Sequence, residues 1–324
     1  MLEDRFGRTF PYLRLSVTDA CNFRCTYCLP DGYRKTQEES FLSLDEIRRL
    51  AAGFASLGTR KIRLTGGEPA TRRDLPEIAA SIAALPGVQT LALTTNGYNL
   101  KQNARRYFEA GINALNVSVD SLDPVTFHAV TGHDKLSLVL EGIDAARAAG
   151  FRNIKINSVL LKDVTDRTLP DFLEWMRAEA LSVRFIELMQ TGSNREFFAK
   201  HFISAEVLKA QLLERGFAPA PRAPDAGPAQ EFHHPDYPGK IGMIAPYSKD
   251  FCKTCNRLRV TARGRLMLCL FGAGGYELRP FLQSDDQRDE LRQAIAEALH
   301  FKHETHYLHQ GVTGSTPHLA SLGG

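Results

Sequence analysis

Residues 12–28 read YLRLSVTDACNFRCTYC, an alternating apolar stretch that runs directly into three closely spaced cysteines. Every second residue from 13 to 17 is apolar, which is the period of a strand with one buried face. The cysteines follow in a C-x3-C-x2-C pattern: Cys21, Cys25 and Cys28. Three thiolates leave one position of a four-coordinate metal site open, and an open position can bind a substrate or cofactor. The stretch therefore predicts a strand with a catalytic metal site at its carboxyl end.

The remaining cysteines form a second group far along the chain: Cys252, Cys255 and Cys269. We name the two groups the first and second triplets. Cysteines in a chain without a secretory signal are more often thiolate ligands than disulfides. Because isolated core thiols would not cluster at such short gaps, we predict two metal sites, each with one open position.

The composition favours a globular enzyme over a nucleic-acid or membrane protein. The 324 residues are 43% hydrophobic, enough for one large barrel or two domains. The formal net charge is only +3, which indicates neither nucleic acid nor a membrane surface as partner. Residues 1–5 contain no apolar signal segment, and no stretch is long enough to span a bilayer. We expect a cytoplasmic protein, either a monomer or a homodimer.

Strand and helix patterns alternate through the first two thirds of the chain. Strands are predicted at 12–17, 61–65, 90–95, 114–119, 154–160 and 182–188. Helices are predicted from the Ser43–Glu46 capping box to Gly58, near Pro76, up to Gly111, and at 137–150, 169–178 and 204–215. Six βα units in series predict a parallel α/β sheet, either an incomplete TIM-like (β/α)6 barrel or a doubly wound sheet.

The polar side of these strands favours the barrel. Strands of a parallel sheet that is covered on both faces read as continuous apolar runs. Here one side of each strand is apolar, whereas the other carries basic or polar residues such as Arg14, Arg63, Lys155 and Arg184. Crossover helices leave little of such a sheet in water. A half-open barrel around a polyanionic ligand therefore explains the pattern better than an exposed face.

The composition changes at residues 219–231, a stretch rich in Pro and Ala that predicts a linker. We divide the chain into residues 1–216, the partial barrel, and residues 217–324, a small β-rich region that carries the second triplet. Strands are expected at 240–245, 257–262 and 266–271, with a helix near 287–300. Residues 309–324 show little periodicity, and we expect an extended or mobile tail that ends in Gly323-Gly324.

Two loops at the carboxyl ends of predicted strands resemble those of radical S-adenosylmethionine (SAM) enzymes. The first triplet is the signature of that superfamily, and TGGEP at 65–69 resembles its glycine-rich SAM segment. The resemblance implies that three cysteines hold a [4Fe–4S] cluster whose fourth iron binds the amino and carboxylate groups of SAM. Glycines allow close approach to a ligand, and Glu68 can pair with an ammonium group. The SAM contacts are assigned to Tyr27, Gly66, Gly67, Glu68, Asn96, Ser118 and Met189.

The second triplet narrows the reaction. Its segments FCKTCNRLR at 251–259 and CLF at 269–271 closely resemble the GTP 3′,8-cyclase family of molybdenum cofactor biosynthesis. LRLSVTD at 13–19, SVDSLDP at 118–124, FIELM at 185–189 and the terminal glycine pair match as well. The resemblance spans nearly the whole chain. It implies a second [4Fe–4S] cluster whose open iron contacts the guanine of GTP.

The same resemblance places GTP in the basic interior of the barrel. It assigns GTP contacts to Arg14, Arg63, Thr94, Lys155, Arg257, Leu258 and Arg259, and we assign catalytic roles to Arg184, Arg257, Arg259, Gly323 and Gly324. The charges of these residues are consistent with the assignment, because GTP carries roughly four negative charges and its pocket must offer several cations. Strand alternation places Arg257 and Arg259 on one face and Leu258 on the other. Two terminal glycines have no side chains and can enter a crowded pocket.

The resemblance implies a radical SAM enzyme that converts GTP to (8S)-3′,8-cyclo-7,8-dihydroguanosine 5′-triphosphate, the first step of molybdenum cofactor biosynthesis. It further implies a flavodoxin- or ferredoxin-type reductant and a cyclic pyranopterin monophosphate synthase that uses the product. Two alternatives remain. One is a radical SAM enzyme that modifies a peptide with the help of an auxiliary cluster. The other is a zinc-stabilised binding protein in which a histidine completes each triplet.

Overall fold

Six parallel strands form the centre of the sheet. The computed structural model describes residues 1–35, 40–222, 226–272, 274–314, 316 and 318–322. The strands are β1 (Tyr12–Thr18), β2 (Lys61–Gly66), β3 (Thr90–Thr95), β4 (Ala114–Ser118), β5 (Ile154–Leu160) and β6 (Ser182–Glu187). Each strand pairs in parallel with the next. The alternating pattern thus predicted all six, to within one residue at each end.

The described residues form nine α-helices, most of which connect the strands and pack on the apolar side of the sheet. They are α1 (Leu44–Ser56), α2 (Leu75–Ala83), α3 (Leu100–Glu109), α4 (Pro124–Thr131), α5 (Leu136–Ala149), α6 (Thr165–Ala178), α7 (Arg195–His201), α8 (Ala205–Glu214) and α9 (Arg288–Leu299). The capping box of α1 is formed, because Ser43 and Glu46 each accept a hydrogen bond from the backbone N–H of the other. The prediction of this helix start is confirmed.

Two helices and one helix start differ from the predictions. Helices α4 and α7, which have eight and seven residues, were not predicted from the sequence. No residue of α7 is buried, so no apolar stripe marks it in the sequence. Helix α6 begins at Thr165, earlier than predicted, and includes Pro170 in its interior. Proline is usually tolerated only in the first turn of a helix, which is why the prediction began at residue 169.

The C-terminal strands extend the same sheet at both of its edges. They are β7 (Ala218–Pro219), β8 (Gln230–His233), β9 (Lys240–Ile244), β10 (Arg257–Val260), β11 (Arg265–Met267) and β12 (Tyr276–Glu277). The strand order is β12-β11-β10-β1-β2-β3-β4-β5-β6-β9-β8-β7. Strand β10 pairs in parallel with β1, and β9 with β6. Strands from both sides of residue 216 therefore belong to one sheet. The division of the chain into two domains at that residue stays a prediction.

The sheet has the architecture of an incomplete TIM-like barrel. In the described part of the chain its end strands, β12 and β7, form no ladder with each other, so hydrogen bonds do not close it. One face of the strands packs on the helices in a continuous core, in which Leu13, Leu15 and Val17 are fully buried. Burying such a side chain contributes about 1.5–3 kcal/mol. The opposite face looks into the barrel.

Three C-terminal predictions need correction. The stretch at 219–231 is not a linker throughout, because β7 ends and β8 begins within it; residues 223–225 lie outside the described residues. Strand β11 ends at Met267, well before residue 271. The tail is not extended over its last described residues, because Leu319–Leu322 form a 3₁₀ turn. Its apolar side chains are buried, and burial rather than periodicity orders this segment.

None of the helices in the described residues combines the length and the apolar character that crossing a bilayer requires.

Candidate active site

One cavity of about 640 Å³ lies inside the open barrel. Its wall is formed by alternate residues of the eight strands from β10 through β1 to β6 and β9, and by the loops at their carboxyl ends. All six cysteines line this single cavity. The two triplets, more than 220 positions apart in sequence, are thus brought to one space.

The first triplet lies in the loop that follows β1, and α4 anchors this loop. The backbone N–H of Arg24 donates to the Thr131 carbonyl at 3.1 Å, and that of Thr26 donates to Val130 at 2.9 Å. Burial raises the pKa of the Cys21 thiol to about 11 and that of Cys28 to about 12. Buried thiols such as these become thiolates when a metal centre binds them.

The second triplet is assembled from two segments of the chain. Cys252 and Cys255 precede β10, and Cys269 follows β11. The buried guanidinium of Arg8 donates to the Cys252 carbonyl at 3.0 Å, and the backbone N–H of His306 lies 3.5 Å from the Cys252 sulfur. Burial alone would raise the pKa of the Cys255 thiol, but Lys302 and Arg257 outweigh it and lower the pKa.

Both triplets fit an iron–sulfur cluster by their donor chemistry. All six cysteines are free thiols and partly buried. Within the described part of the chain, no three His, Cys, Asp or Glu side chains converge on a single metal-ion position. In a four-iron cluster each cysteine binds its own iron atom, and thiolates are the ligands such clusters take. Three cysteines around one cavity leave the fourth iron accessible from that cavity.

The residues assigned to SAM line the cavity beside the first triplet: Tyr27, Gly66, Gly67, Glu68, Asn96, Ser118 and Met189. The glycine pair has a packing role that the sequence reading did not foresee. A Cβ on Gly66 would lie 2.2 Å from the Thr18 carbonyl oxygen, and one on Gly67 would lie 2.3 Å from that of Ala20. Only glycine therefore lets this segment pack against the loop that carries the first triplet.

Glu68 connects the ends of two strands. Its buried carboxylate accepts hydrogen bonds from the Thr95 hydroxyl at 2.8 Å and from the backbone N–H groups of Ala70 and Asn96 at 2.9 and 2.6 Å. Burial raises the pKa of Glu68 to about 7, even though these donors favour the ionised form. The carboxylate thus orders the loops after β2 and β3, and its pairing with an ammonium group stays a prediction.

Tyr27 is oriented by an aspartate that the sequence reading left without a role. The Tyr27 hydroxyl donates to a carboxylate oxygen of Asp120 at 2.9 Å, and the other oxygen accepts from the Val159 N–H at 2.9 Å. Asp120 is buried, and burial raises its pKa to about 6. Its position directly after β4, on the polar side of the strand, was the signal that could have identified it.

The cations assigned to GTP lie side by side on the inward face. Arg259 of β10, Arg14 of β1 and Arg63 of β2 are register neighbours on adjacent strands. Arg63 also donates to the Thr94 hydroxyl at 3.1 Å. The remaining assigned cations line the same cavity: Lys155, Arg184 and Arg257. Arg184 lies 3.4 Å from a Glu231 carboxylate oxygen. The structure thus brings the predicted basic residues together.

Burial and mutual repulsion lower the pKa values of three of these cations. Burial lowers the pKa of Arg14 to about 10, and repulsion from Arg63 and Arg257 adds to the shift. The pKa of Arg259 falls to about 9 for the same reasons, with Arg14 among its neighbours. That of Lys155 falls to about 8 through burial and the nearby Arg184. Such a site binds an anion strongly, because the anion relieves the repulsion.

Tyr12 lies among these cations, and the sequence reading missed it. Its hydroxyl accepts a hydrogen bond from Arg63 Nε at 2.6 Å. Burial disfavours its phenolate, but Arg63, Arg14 and Lys61 outweigh burial and lower the pKa of Tyr12 to about 6. Strand alternation places Tyr12 on the same face as Arg14, and this was the available signal. Its phenolate partly balances the charge of the basic face.

Leu258 and the tail differ from the other assigned residues. The Leu258 side chain is buried in the core behind the sheet, so only its backbone can face the cavity, and its GTP contact stays a prediction. Gly323 and Gly324 lie outside the described residues. The preceding Leu319 and Ala320 line the cavity, and Arg259 donates to the Leu322 carbonyl at 3.3 Å.

Comparison with known proteins agrees with the cysteine pattern. Residues 15–176 match the model of the Radical SAM superfamily, and residues 181–308 match that of Molybdenum Cofactor Synthesis C. The chain of Streptococcus suis SuiB bound to S-adenosylmethionine shares the fold, with a TM-score of 0.58 at 12% identity over 88% of this chain and 68% of that chain. This chain belongs to the radical SAM superfamily, whose cofactors are SAM and an iron–sulfur cluster.

Curated relatives define the family more narrowly. Proteins named GTP 3′,8-cyclase from Tolumonas auensis, Yersinia pestis and Stenotrophomonas maltophilia are 56, 57 and 55% identical to this chain. The alignments cover 100% of this chain and 96, 99 and 99% of those proteins. Within the superfamily, the chain is therefore a member of the GTP 3′,8-cyclase family. This membership sets aside the peptide-modifying and zinc-binding alternatives.

Proposed function

We propose that this chain cyclises GTP in the barrel cavity, with one [4Fe–4S] cluster at each triplet. The observation that carries the proposal is the single cavity, which is lined by both triplets and by the basic face. One cluster with SAM is common to the superfamily. The second cluster, and the contacts assigned to single residues, rest on the geometry and charge of this cavity.

The first triplet and its surroundings would hold a cluster and SAM. When bound there, they supply the 5′-deoxyadenosyl radical that removes the hydrogen on ribose C3′ of GTP. The chain's part is to fix their position. Asp120 orients Tyr27, Glu68 orders the loops after β2 and β3, and the glycine pair holds the β2 loop against the β1 loop. None of these groups needs to move during the reaction.

The basic face would bind the triphosphate of GTP. Arg14, Arg63 and Arg259 offer guanidinium groups from three adjacent strands, and guanidinium matches phosphate geometry in pairs of hydrogen bonds. Each charge-assisted hydrogen bond contributes about 1.5–3 kcal/mol. Buried cations interact more strongly with phosphate than exposed ones do.

The second triplet would hold the cluster that positions the guanine. Arg257 connects it to the basic face, because its carbonyl oxygen lies 3.9 Å from the Cys255 sulfur while its guanidinium lines the cavity. Base and triphosphate of one nucleotide can therefore be held by neighbouring parts of β10. In the reaction the ribose C3′ bonds to C8 of the guanine, and one electron and one proton complete the product.

The need for a reductant follows from this electron balance, and the downstream enzyme follows from the resemblance to the GTP 3′,8-cyclase family. A flavodoxin- or ferredoxin-type protein would supply the electrons, and a cyclic pyranopterin monophosphate synthase would take up the product. Both are part of the proposal, as is the residue-level assignment of Gly323 and Gly324 to the active site.

Anaerobic turnover with GTP, SAM and dithionite tests the function. The product is an isomer of GTP, because the hydrogen lost from C3′ is matched by a proton gained at N7. It must therefore be separated by chromatography and identified by its fragmentation in a mass spectrometer. Product from the parent chain, and none from Cys25→Ala, supports the proposal. SAM cleavage with all GTP recovered unchanged would overturn it.

A further inference from the structure

A buried lysine lies beside the second triplet and has no role in the scheme above. Only 3% of Lys302 is exposed. Its ammonium donates to the carbonyl oxygen of Leu268, the residue before Cys269, and lies 5.2 Å from the centre of the Phe10 ring. Among the described residues, Lys302 forms no ion pair with an aspartate or glutamate. A charge this deeply buried requires compensation.

The second triplet is the anionic group within reach of this ammonium. The Leu268 carbonyl that Lys302 binds belongs to the residue before Cys269, and the same segment after α9 lies against Cys252, whose sulfur is 3.5 Å from the backbone N–H of His306. Three thiolates on a [4Fe–4S]²⁺ core carry a net charge of about −1, and one-electron reduction brings this to about −2. A fixed positive charge in a poorly screened site therefore stabilises the reduced cluster more than the oxidised one.

The other cations near the second triplet differ from Lys302 in their position. Arg257 and Arg259 line the cavity, where a bound triphosphate would neutralise much of their charge. Lys302 does not line the cavity. It approaches the triplet from the side of Phe10 and the segment after α9. Its charge consequently acts on the cluster whether or not substrate is bound.

We propose that Lys302 is the fixed counter-charge of the second triplet and raises the reduction potential of the cluster held there. The proposal rests on the second cluster of the proposed function. Lys302 would act on the cluster through its charge alone. It is not a catalytic residue, because it does not line the cavity. Its effect should appear in the potential of the cluster even where iron content is unchanged.

The test uses the full chain with Cys21, Cys25 and Cys28 replaced by alanine, so that only the second triplet can hold a cluster. After anaerobic reconstitution, iron and sulfide are counted. The electron paramagnetic resonance signal of the reduced cluster is then titrated against potential with dithionite and mediators. Three variants are compared with this background chain: Lys302→Met, Lys302→Arg and Lys253→Met.

Lys253 is the matched control. It lies between Cys252 and Cys255 in sequence, yet its side chain is 72% exposed and pairs with Asp250 at 2.8 Å. Solvent screens such a charge. Lys302→Met should shift the reduction equilibrium towards the oxidised cluster by about tenfold or more, about 59 mV for a one-electron couple. Lys302→Arg should stay near the background chain, and Lys253→Met should shift the equilibrium several-fold less than Lys302→Met.

Equal potentials for Lys302→Met and Lys253→Met would overturn the inference. If methionine empties the site, the arginine variant decides. A cluster retained with arginine supports a role for charge, whereas arginine that empties the site as methionine does contradicts it. A background chain without iron and sulfide would remove the second cluster and this inference together. A normal cluster whose potential ignores residue 302 would remove only the inference.

Discussion

At the scale of single residues, the cavity concentrates positive charge that the fold balances only in part. Among the described residues, Tyr12 accepts a hydrogen bond from Arg63, and Glu231 forms an ion pair with Arg184. Burial lowers the pKa values of Arg14, Lys155 and Arg259, and repulsion from neighbouring cations lowers them further. Binding a polyanion relieves this repulsion, so the same residues that cost stability in the empty cavity favour the substrate complex.

Removing one of these guanidinium groups should weaken GTP binding. Arg14→Ala, Arg257→Ala and Arg259→Ala should each raise the dissociation constant for GTP about tenfold or more, because each loses a charge-assisted contact. Anaerobic calorimetry measures the constant, with iron content and thermal unfolding checked in parallel. Arg105→Ala is the control, since that side chain is 82% exposed on α3. Parent-like binding by all three variants would show that GTP binds elsewhere.

Lys155 should make GTP binding depend on pH. Its pKa is lowered to about 8, so the ammonium loses its proton, and its attraction for phosphate, as the pH rises through that value. Tyr12 titrates below this range and Arg259 above it. Affinity should therefore fall between pH 7 and pH 8.5, by up to about fourfold, the factor by which the protonated fraction of Lys155 falls. Calorimetry at the two pH values measures the change.

Two variants isolate the contribution of Lys155. Lys155→Met should bind GTP more weakly at pH 7 and show no further fall at pH 8.5. Lys101→Met is the control, because that lysine is 54% exposed and pairs with Glu141 on the surface; it should keep the fall of the parent. A full pH-dependent fall in Lys155→Met would assign the titration to another group.

At the scale of elements, the sequence predicted the strands and helices that a local pattern of residues marks. Strand alternation gave β1 to β6, and the capping box gave the start of α1, because both signals lie within a few neighbouring residues. Short elements without a buried stripe, such as α7, carry no such signal. Alternation also placed the assigned cations on the inward face. It also placed Tyr12 and Asp120 on the polar side of their strands, but their particular roles, like that of Lys302, arise from contacts with residues distant in sequence.

The tail is the element whose role the structure makes most testable. Leu319 and Ala320 line the cavity, and Arg259 donates to the Leu322 carbonyl, so the chain approaches the active site just before Gly323-Gly324. Deleting both glycines, or adding a bulky C-terminal tag, should leave the clusters and the fold intact but largely abolish cyclisation. Product formation and iron content are measured in the same preparations.

A tag of the same size on Met1 is the control for this prediction. Met1 is 71% exposed and does not line the cavity, so the N-terminal tag should leave activity unchanged. If a chain without Gly323 and Gly324 cyclises GTP at the parent rate, the tail has no role in the reaction and tolerates change, as most termini do.

At the scale of the whole molecule, function depends on a sheet that joins both ends of the chain. Strand β10 pairs with β1 across more than 240 positions, and this pairing sets Arg259 beside Arg14. No local pattern specifies such a partner, which is why the sequence indicated a separate C-terminal region. The motifs predicted both cysteine sites. The continuous sheet explains why they open into one cavity.

The most direct test of GTP cyclisation in this cavity follows one atom of the substrate. GTP labelled with deuterium at C3′ is incubated anaerobically with the holoenzyme, SAM and dithionite, and both products are weighed by mass spectrometry. The 5′-deoxyadenosine should gain one mass unit, and the cyclised nucleotide should be one unit lighter than the labelled GTP. Unlabelled 5′-deoxyadenosine beside fully labelled nucleotide would contradict hydrogen removal from C3′, and with it the proposed reaction.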